Sequence, residues 1–210
     1  MCGRFYADDT TVREAERIVQ NVQLQIQNMR TGDIYPSQNA GILTGRIRQK
    51  NVQTQGAAEK PAQGLCLEEM HWGFPRYQKK GLLINARAET ALERKMFCDS
   101  LLHRRCVIPA GHFYEWDCDK NKVIFYREDS QVLYLAGFFQ RFQEEERFII
   151  LTAQANASVS PVHDRMPLIL EKAELHDWVF DNRFMEYALH KTLPELGRKQ
   201  EYEQQCLVFD

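Results

Sequence analysis

The sequence predicts an α+β fold in a single compact domain with a mostly antiparallel sheet. Three observations carry this. Helical periodicity is confined to the start, one middle segment and the later part of the chain. Between them lie short runs rich in β-branched and aromatic residues, separated by turn residues. No regular strand–helix–strand alternation is present, which disfavours a doubly wound sheet or an eightfold barrel.

The elements follow in order. Asp8 to Gln23 reads as an amphipathic helix: Asp8, Asp9 and Thr10 offer N-caps, and Val12, Ala15, Ile18, Val19 and Val22 share one apolar face. Strands are predicted at Ile42–Ile47 and Leu65–Trp72. The intervening Asn51–Gly64, rich in Gln, Ala and Asn, reads as a flexible loop. Leu82–Ile84 and Arg105–Ile108 are short apolar runs. Val123–Tyr126, Leu133–Phe139 and Phe148–Thr152 are three further strands, with turns at Lys120-Asn121 and Asp129-Ser130. Helices are predicted over Ala91–His103, Lys172–Phe180 and Phe184–Lys191, which makes residues 171–210 a helical C-terminal part.

The 210 residues are 44% hydrophobic and 27% charged, as in an ordinary globular protein. Net charge is −2, which excludes a bulk polycation that coats nucleic acid but allows a local basic groove. No segment approaches the ~20 apolar residues of a membrane span, and no secretory signal is visible, so a cytoplasmic protein is expected. Cysteines at 2, 66, 98, 106, 118 and 206 show neither C-x-x-C nor zinc-finger spacing, so free thiols are expected and no metal, cofactor or disulfide framework.

Five segments could hold chemistry. Removal of Met1 would leave Cys2 with an α-amine and a thiol on adjacent carbons. Their ordinary pKa values, about 7.7–8.0 and 8.5, leave some neutral amine near pH 7. That amine can form an imine with an aldehyde, and the thiol can close on it as a five-membered thiazolidine; a cysteine at this position by chance is the bland alternative. In His112-Phe113-Tyr114-Glu115-Trp116, burial among aromatics would raise the Glu115 pKa. The alternative is a strand-end Glu in water with Tyr114 and Trp116 packed inward. His163, before Asp164, Arg165, Met166 and Pro167, is either a proton carrier or a loop His paired with Asp164. Asn85 and Arg87, two apart at a strand end, project to one side and could hold a polar centre and a phosphate. Trp72-Gly73-Phe74-Pro75, with Arg76 and Tyr77 beyond, is either a wedge or base-stacking platform, or aromatic core. Arg4, Arg76, Arg87, Arg94, Lys95, Arg104, Arg105 and Arg165 would form a backbone-binding groove if gathered beside one cleft.

Together these motifs resemble a known family. Met-Cys-Gly-Arg-Phe at the start, Tyr35-Pro36-Ser37-Gln38, Trp72-Gly73-Phe74-Pro75, Asn85-Ala86-Arg87-Ala88-Glu89-Thr90, Arg105-Cys106-Val107-Ile108-Pro109-Ala110, Phe113-Tyr114-Glu115-Trp116 and His163-Asp164-Arg165-Met166-Pro167 are similar, in sequence and order, to the SOS response-associated peptidase-like (SRAP) proteins. The resemblance implies one α+β domain with a small β-barrel-like core and flanking helices. It also implies a monomer that senses abasic sites in single-stranded DNA and at single-strand/duplex junctions, forming a thiazolidine cross-link. It implies Cys2 as nucleophile, Asn85 positioning its amino end or the sugar, Glu115 as acid/base and His163 assisting proton transfer. Arg4, Arg87, Lys95 and Arg165 would contact DNA, with Trp72, Phe74 and Pro75 as the wedge. The alternatives are a cysteine peptidase, acting in the narrowest case only on its own Met1, a lyase, and a non-catalytic binder of single-stranded DNA and junctions. Two positions depart from the family pattern: Asp33 stands where Asn is usual, and Gly111-His112 replaces Asp-Gly.

Overall fold

The computed structural model describes residues 2–19, 29–47, 63–77 and 79–200. A closed five-stranded barrel forms the centre. It takes β3 (Asn39–Ile47), β4 (Gln63–Trp72), β8 (Arg105–Ala110), β11 (Leu133–Phe142) and β12 (Glu145–Gln154). The order is β12–β4–β3–β8–β11, and β11 pairs back with β12 to close it. The β12–β4 seam is parallel, Phe148 opposite Trp72, whereas the other seams are antiparallel. β8, the start of β11 and the middle of β12 read as near-continuous apolar runs because they are covered on both faces. All six residues of β8 are buried. Pro109 is tolerated in β8 because the β3 ladder reaches only Val107. Gly137 is required where β11 meets β12: a Cβ there would stand 2.5 Å from the Ile149 carbonyl oxygen.

Short strands extend the barrel. β7 (Asn85–Arg87) runs parallel to β12, β13 (Arg165–Pro167) pairs with β12, and β14 (Ile169–Leu170) pairs with β11. Between β4 and β7 the chain leaves as a hairpin, β5 (Phe74–Pro75) against β6 (Leu82–Leu83). Gly73, at φ +108°, makes the exit turn, a conformation that favours glycine.

A second sheet packs against the barrel in the order β15–β10–β9–β1–β2, all antiparallel. Its strands are β1 (Phe5–Ala7), β2 (Gly32–Ile34), β9 (His112–Trp116), β10 (Lys122–Tyr126) and β15 (Gly197–Gln200). Phe5 is the joint between the sheets: it pairs with Ile34 and Phe113, and its ring meets Trp72 at 5.1 Å.

Helices cover the ends. α1 (Asp9–Ile18) is capped by Asp8, whose carboxylate accepts from the Thr11 N–H at 2.8 Å. α2 (Ala88–Ala91) and α3 (Lys95–His103) replace the single helix expected over Ala91–His103. Arg94, in an extended conformation, separates them. The expected Lys172–Phe180 helix is a 3-10 turn, Lys172–Glu174, followed by α4 (Leu175–Phe180). α5 (Asn182–Ala188) begins two residues before the expected start because Asp181 caps it. Arg105 ties these helices to the barrel. Its guanidinium donates to the carbonyls of Leu101, Leu102, Trp178 and Val179 and to Asn182, satisfying the C-terminal ends of α3 and α4.

The sheets are mostly antiparallel, as expected, with β12 taking β4 and β7 as parallel neighbours. Three expectations need correction or restriction. The C-terminal part is not wholly helical, since β15 adds an edge strand to β10; its polar Gly-Arg-Lys-Gln sequence carries no strand periodicity, and pairing alone holds it. α1 ends at Ile18, and the remainder of the helix expected to Gln23 lies, from residue 20, outside the described residues. So does the loop expected over Asn51–Gly64, up to residue 62.

Candidate active site

Cys2 precedes β1 and is wholly buried. The Tyr114 N–H donates to the Arg4 carbonyl at 3.0 Å, which pins the N-terminal segment to β9. Asn85 Nδ2 donates to the Cys2 carbonyl at 2.9 Å. The Asn85 side chain is thus fastened to the backbone of the N-terminal residue. Its Oδ1 is buried with no hydrogen-bond partner among the described residues, an arrangement that usually costs about 1–3 kcal/mol and calls for an explanation.

Glu115 lies on β9 with 3% of its surface exposed. The strand does not alternate in exposure: Phe113, Tyr114 and Glu115 are all buried, while Trp116 is 41% exposed, so neither Glu115 nor Tyr114 faces water. Burial raises the Glu115 pKa, and the nearby His163 pulls it back down. The thiol of Cys2 is pushed well above its usual range, chiefly by burial and next by the Glu115 carboxylate. Cys2, Asn85, Glu115 and His163 therefore belong to one electrostatically connected site.

His163 ends a turn in which its own N–H bonds the Val159 carbonyl. Its Nδ1 accepts from the Arg165 N–H at 2.9 Å. Asp164 Oδ1 also lies 2.9 Å from Nδ1. Asn156 braces this turn through the Leu193 and Pro194 carbonyls and Ser158.

The expected DNA contacts are unevenly placed. Arg87 and Lys95 are exposed and carry no ion pair among the described residues. Arg4 is paired with Asp33 and lies between the rings of Tyr35 and Tyr114, at 4.9 and 4.4 Å. Arg165 is buried and grips Glu89 with both ends of its guanidinium, at 2.7 and 2.8 Å. With its fork occupied, Arg165 positions the His163 turn against β7 and α2 rather than presenting itself to a phosphate. Of the remaining basic residues, Arg105 holds helix ends and Arg104 pairs with Asp99.

The wedge expected at Trp72, Phe74 and Pro75 is corrected for its two aromatics. Trp72 is wholly buried; its Nε1 donates to the Ile84 carbonyl and its ring stacks on Phe148. Phe74 is wholly buried against Phe138 and Phe142. Both are core because β4 and β5 end in the barrel wall. Pro75 is exposed.

The two departures from the family pattern meet in space. Asp33 and His112 lie on either side of Tyr6, in β2 and β9. His112 stacks on Tyr6 at 4.6 Å and its Nε2 is 2.8 Å from the Tyr114 hydroxyl. Although burial pushes the Asp33 carboxyl up, hydrogen bonds from Arg4 and Tyr114 hold it below the usual range. Sequence reasoning missed this cluster, and it missed Glu89 as the partner of Arg165. The nearest signal was the spacing of Glu89 from Asn85, four residues later in the same motif.

Comparison with known proteins identifies the family. The sequence model of the SOS response associated peptidase (SRAP) family matches residues 1–204. The chain is similar to the abasic site processing protein YedK of Escherichia coli, 31% identical over 85% of this chain and 79% of that protein. It is also similar to the abasic site processing protein YoqW of Bacillus subtilis, at 30% identity over 85% and 80%. Its fold is shared with a crystallised protein of Bacteroides thetaiotaomicron, with TM-score 0.71 at 17% identity, covering 95% of this chain and 91% of that one. The chain belongs to the SRAP family.

Proposed function

We propose that this protein senses abasic sites in single-stranded DNA and traps them covalently through Cys2 once Met1 is removed. The observation that carries the reading is the seating of Cys2. It is buried, its carbonyl is held by Asn85, and it lies in the field of Glu115, which also feels His163. The relatives named as abasic site processing proteins support the substrate.

The steps balance. An abasic sugar is mostly a closed hemiacetal. Opening it removes the proton of the anomeric hydroxyl and delivers one to the ring oxygen, a task for a carboxyl and an imidazole at one site. Glu115, whose raised pKa brings it nearer to neutrality, and the His163 imidazole supply the pair. The free α-amine of Cys2 adds to the aldehyde and one water leaves, giving an imine. The Cys2 sulfur then bonds the imine carbon, and the thiol proton ends on the ring nitrogen. A thiol with a raised pKa suits this order, because the amine must attack first. Asn85 Oδ1, without a hydrogen-bond partner among the described residues, would accept from the Cys2 amine or a sugar hydroxyl.

The test is a denaturing gel of the protein heated with an abasic oligonucleotide. Wild type should give a heat-stable adduct, Cys2→Ser only an adduct that borohydride must preserve, and Cys2→Ala none of the stable kind. Equal heat-stable linkage by Cys2→Ala and wild type would refute the reading.

A further inference from the structure

The hairpin between β4 and β7 is an excursion from an otherwise continuous barrel edge. Its two feet rest on the same stretch of β12: the Gly73 N–H donates to the Phe148 carbonyl at 2.8 Å, and the Ile150 N–H to the Ile84 carbonyl at 3.1 Å. Phe74 locks the base into the core. The Trp72 indole clasps the returning strand through Ile84, one residue before Asn85. The base of the hairpin and the site around Cys2 are therefore parts of one rigid body.

Its tip has a different character. Tyr77 is 88% exposed, the most exposed of the large apolar side chains among the described residues. Arg76, Lys79 and Lys80 beside it are exposed and make no ion pair among the described residues. No Asp or Glu occurs between Glu69 and Glu89, whereas Arg76, Lys79, Lys80 and Arg87 all do, in a chain whose net charge is −2. An aromatic ring this exposed contributes nothing to the core. Set among unpaired cations, it has the composition of a single-strand platform: a ring for one unstacked base, and positive charge for the adjoining phosphates.

We propose that the β5–β6 hairpin tip binds the single strand beside the abasic position, with Tyr77 stacking on a base and Arg76, Lys79 and Lys80 neutralising its backbone. The stacking surface is thus moved from the buried Trp72 and Phe74 to Tyr77. The proposal rests on the single-stranded ligand of the reading above, and it asks nothing of the Cys2 chemistry.

The probe is an oligothymidylate of about 12 nucleotides, within the range of single-strand sites. It carries a tetrahydrofuran abasic analogue, which has no aldehyde, and one 2-aminopurine placed in turn on either side. Wild type should quench the 2-aminopurine at one flank. Tyr77→Ala should abolish that quench and weaken binding about 5- to 100-fold, the worth of one stacked base, while Tyr77→Phe keeps both. Replacing Arg76, Lys79 and Lys80 together with Gln should lower the salt slope of binding by about 2, near 0.7 for each lost phosphate contact. Unchanged quenching and affinity in Tyr77→Ala would overturn the proposal. So would equal sensitivity of a fully paired duplex to the same substitution. Loss of cross-linking by wild type with the Tyr77 quench intact would strike the trap and leave the platform standing.

Discussion

The barrel and the sheet beside it are built on opposite principles. Barrel strands reach ten residues and bury hydrocarbon on both faces; Phe138, Phe148, Ile149, Ile150 and Leu151 are wholly buried. The second sheet is made of strands of three to five residues, of which β1 follows Cys2 in the chain and β9 carries Glu115. It buries a carboxylic acid where a barrel strand would bury a leucine. The comparison teaches a division of labour: the barrel supplies stability, and the short sheet leans on it while holding groups whose burial is costly.

Substitutions in each region should separate the two. The largest effect on folding belongs to the barrel. Phe148→Ala removes a ring packed on Trp72 and should cost about 3–5 kcal/mol, read as a fall in the denaturation midpoint at unchanged slope. In the short sheet the loss should appear in chemistry instead. Glu115→Gln keeps the shape and removes the proton carrier, so the rate of adduct formation should drop by about 100- to 10,000-fold with the fold retained. A Glu115→Gln variant that unfolds would show that the carboxyl holds the sheet together, and would break the contrast.

Stability against pH sharpens the same point. The folded Glu115 carboxyl has a pKa above its ordinary 4.5, so the folded state holds that proton more tightly than the unfolded one. Its contribution is complete below about 4.5 and is lost as pH rises through the folded value. Denaturant titrations should therefore find wild type losing ground to Glu115→Gln across that window, then running parallel above it. The smallest effect concerns Asp33. Asp33→Asn releases Arg4 from a partly exposed ion pair and should tighten single-strand binding by no more than about fivefold, measured by anisotropy at low salt.

The same contrast explains what could be read from the sequence. Long apolar runs such as Leu133–Phe139 and Phe148–Thr152 announce barrel strands, because burial on both faces leaves no polar residue to obscure them. β1, β2 and β15 are too short to show a period, and their pairing depends on residues far along the chain. For Glu115, alternation alone misled, because β9 is covered on both faces and buries Phe113, Tyr114 and Glu115 in succession. The aromatics of Trp72-Gly73-Phe74-Pro75 misled for the same reason: a Trp at a strand end reads identically whether the next layer is protein or water. Cys2, Asn85, Glu115 and His163 were singled out as candidates through the order of motifs rather than through any one of them.

The central claim is that a free Cys2 aminothiol carries the chemistry. Intact mass spectrometry with peptide mapping, before and after incubation with an abasic single strand, tests it most directly. The account predicts a chain lacking Met1 that gains the mass of the oligonucleotide less one water, with the added mass on Cys2. An adduct mapped to a lysine, or one formed equally by a chain that retains Met1, would contradict it.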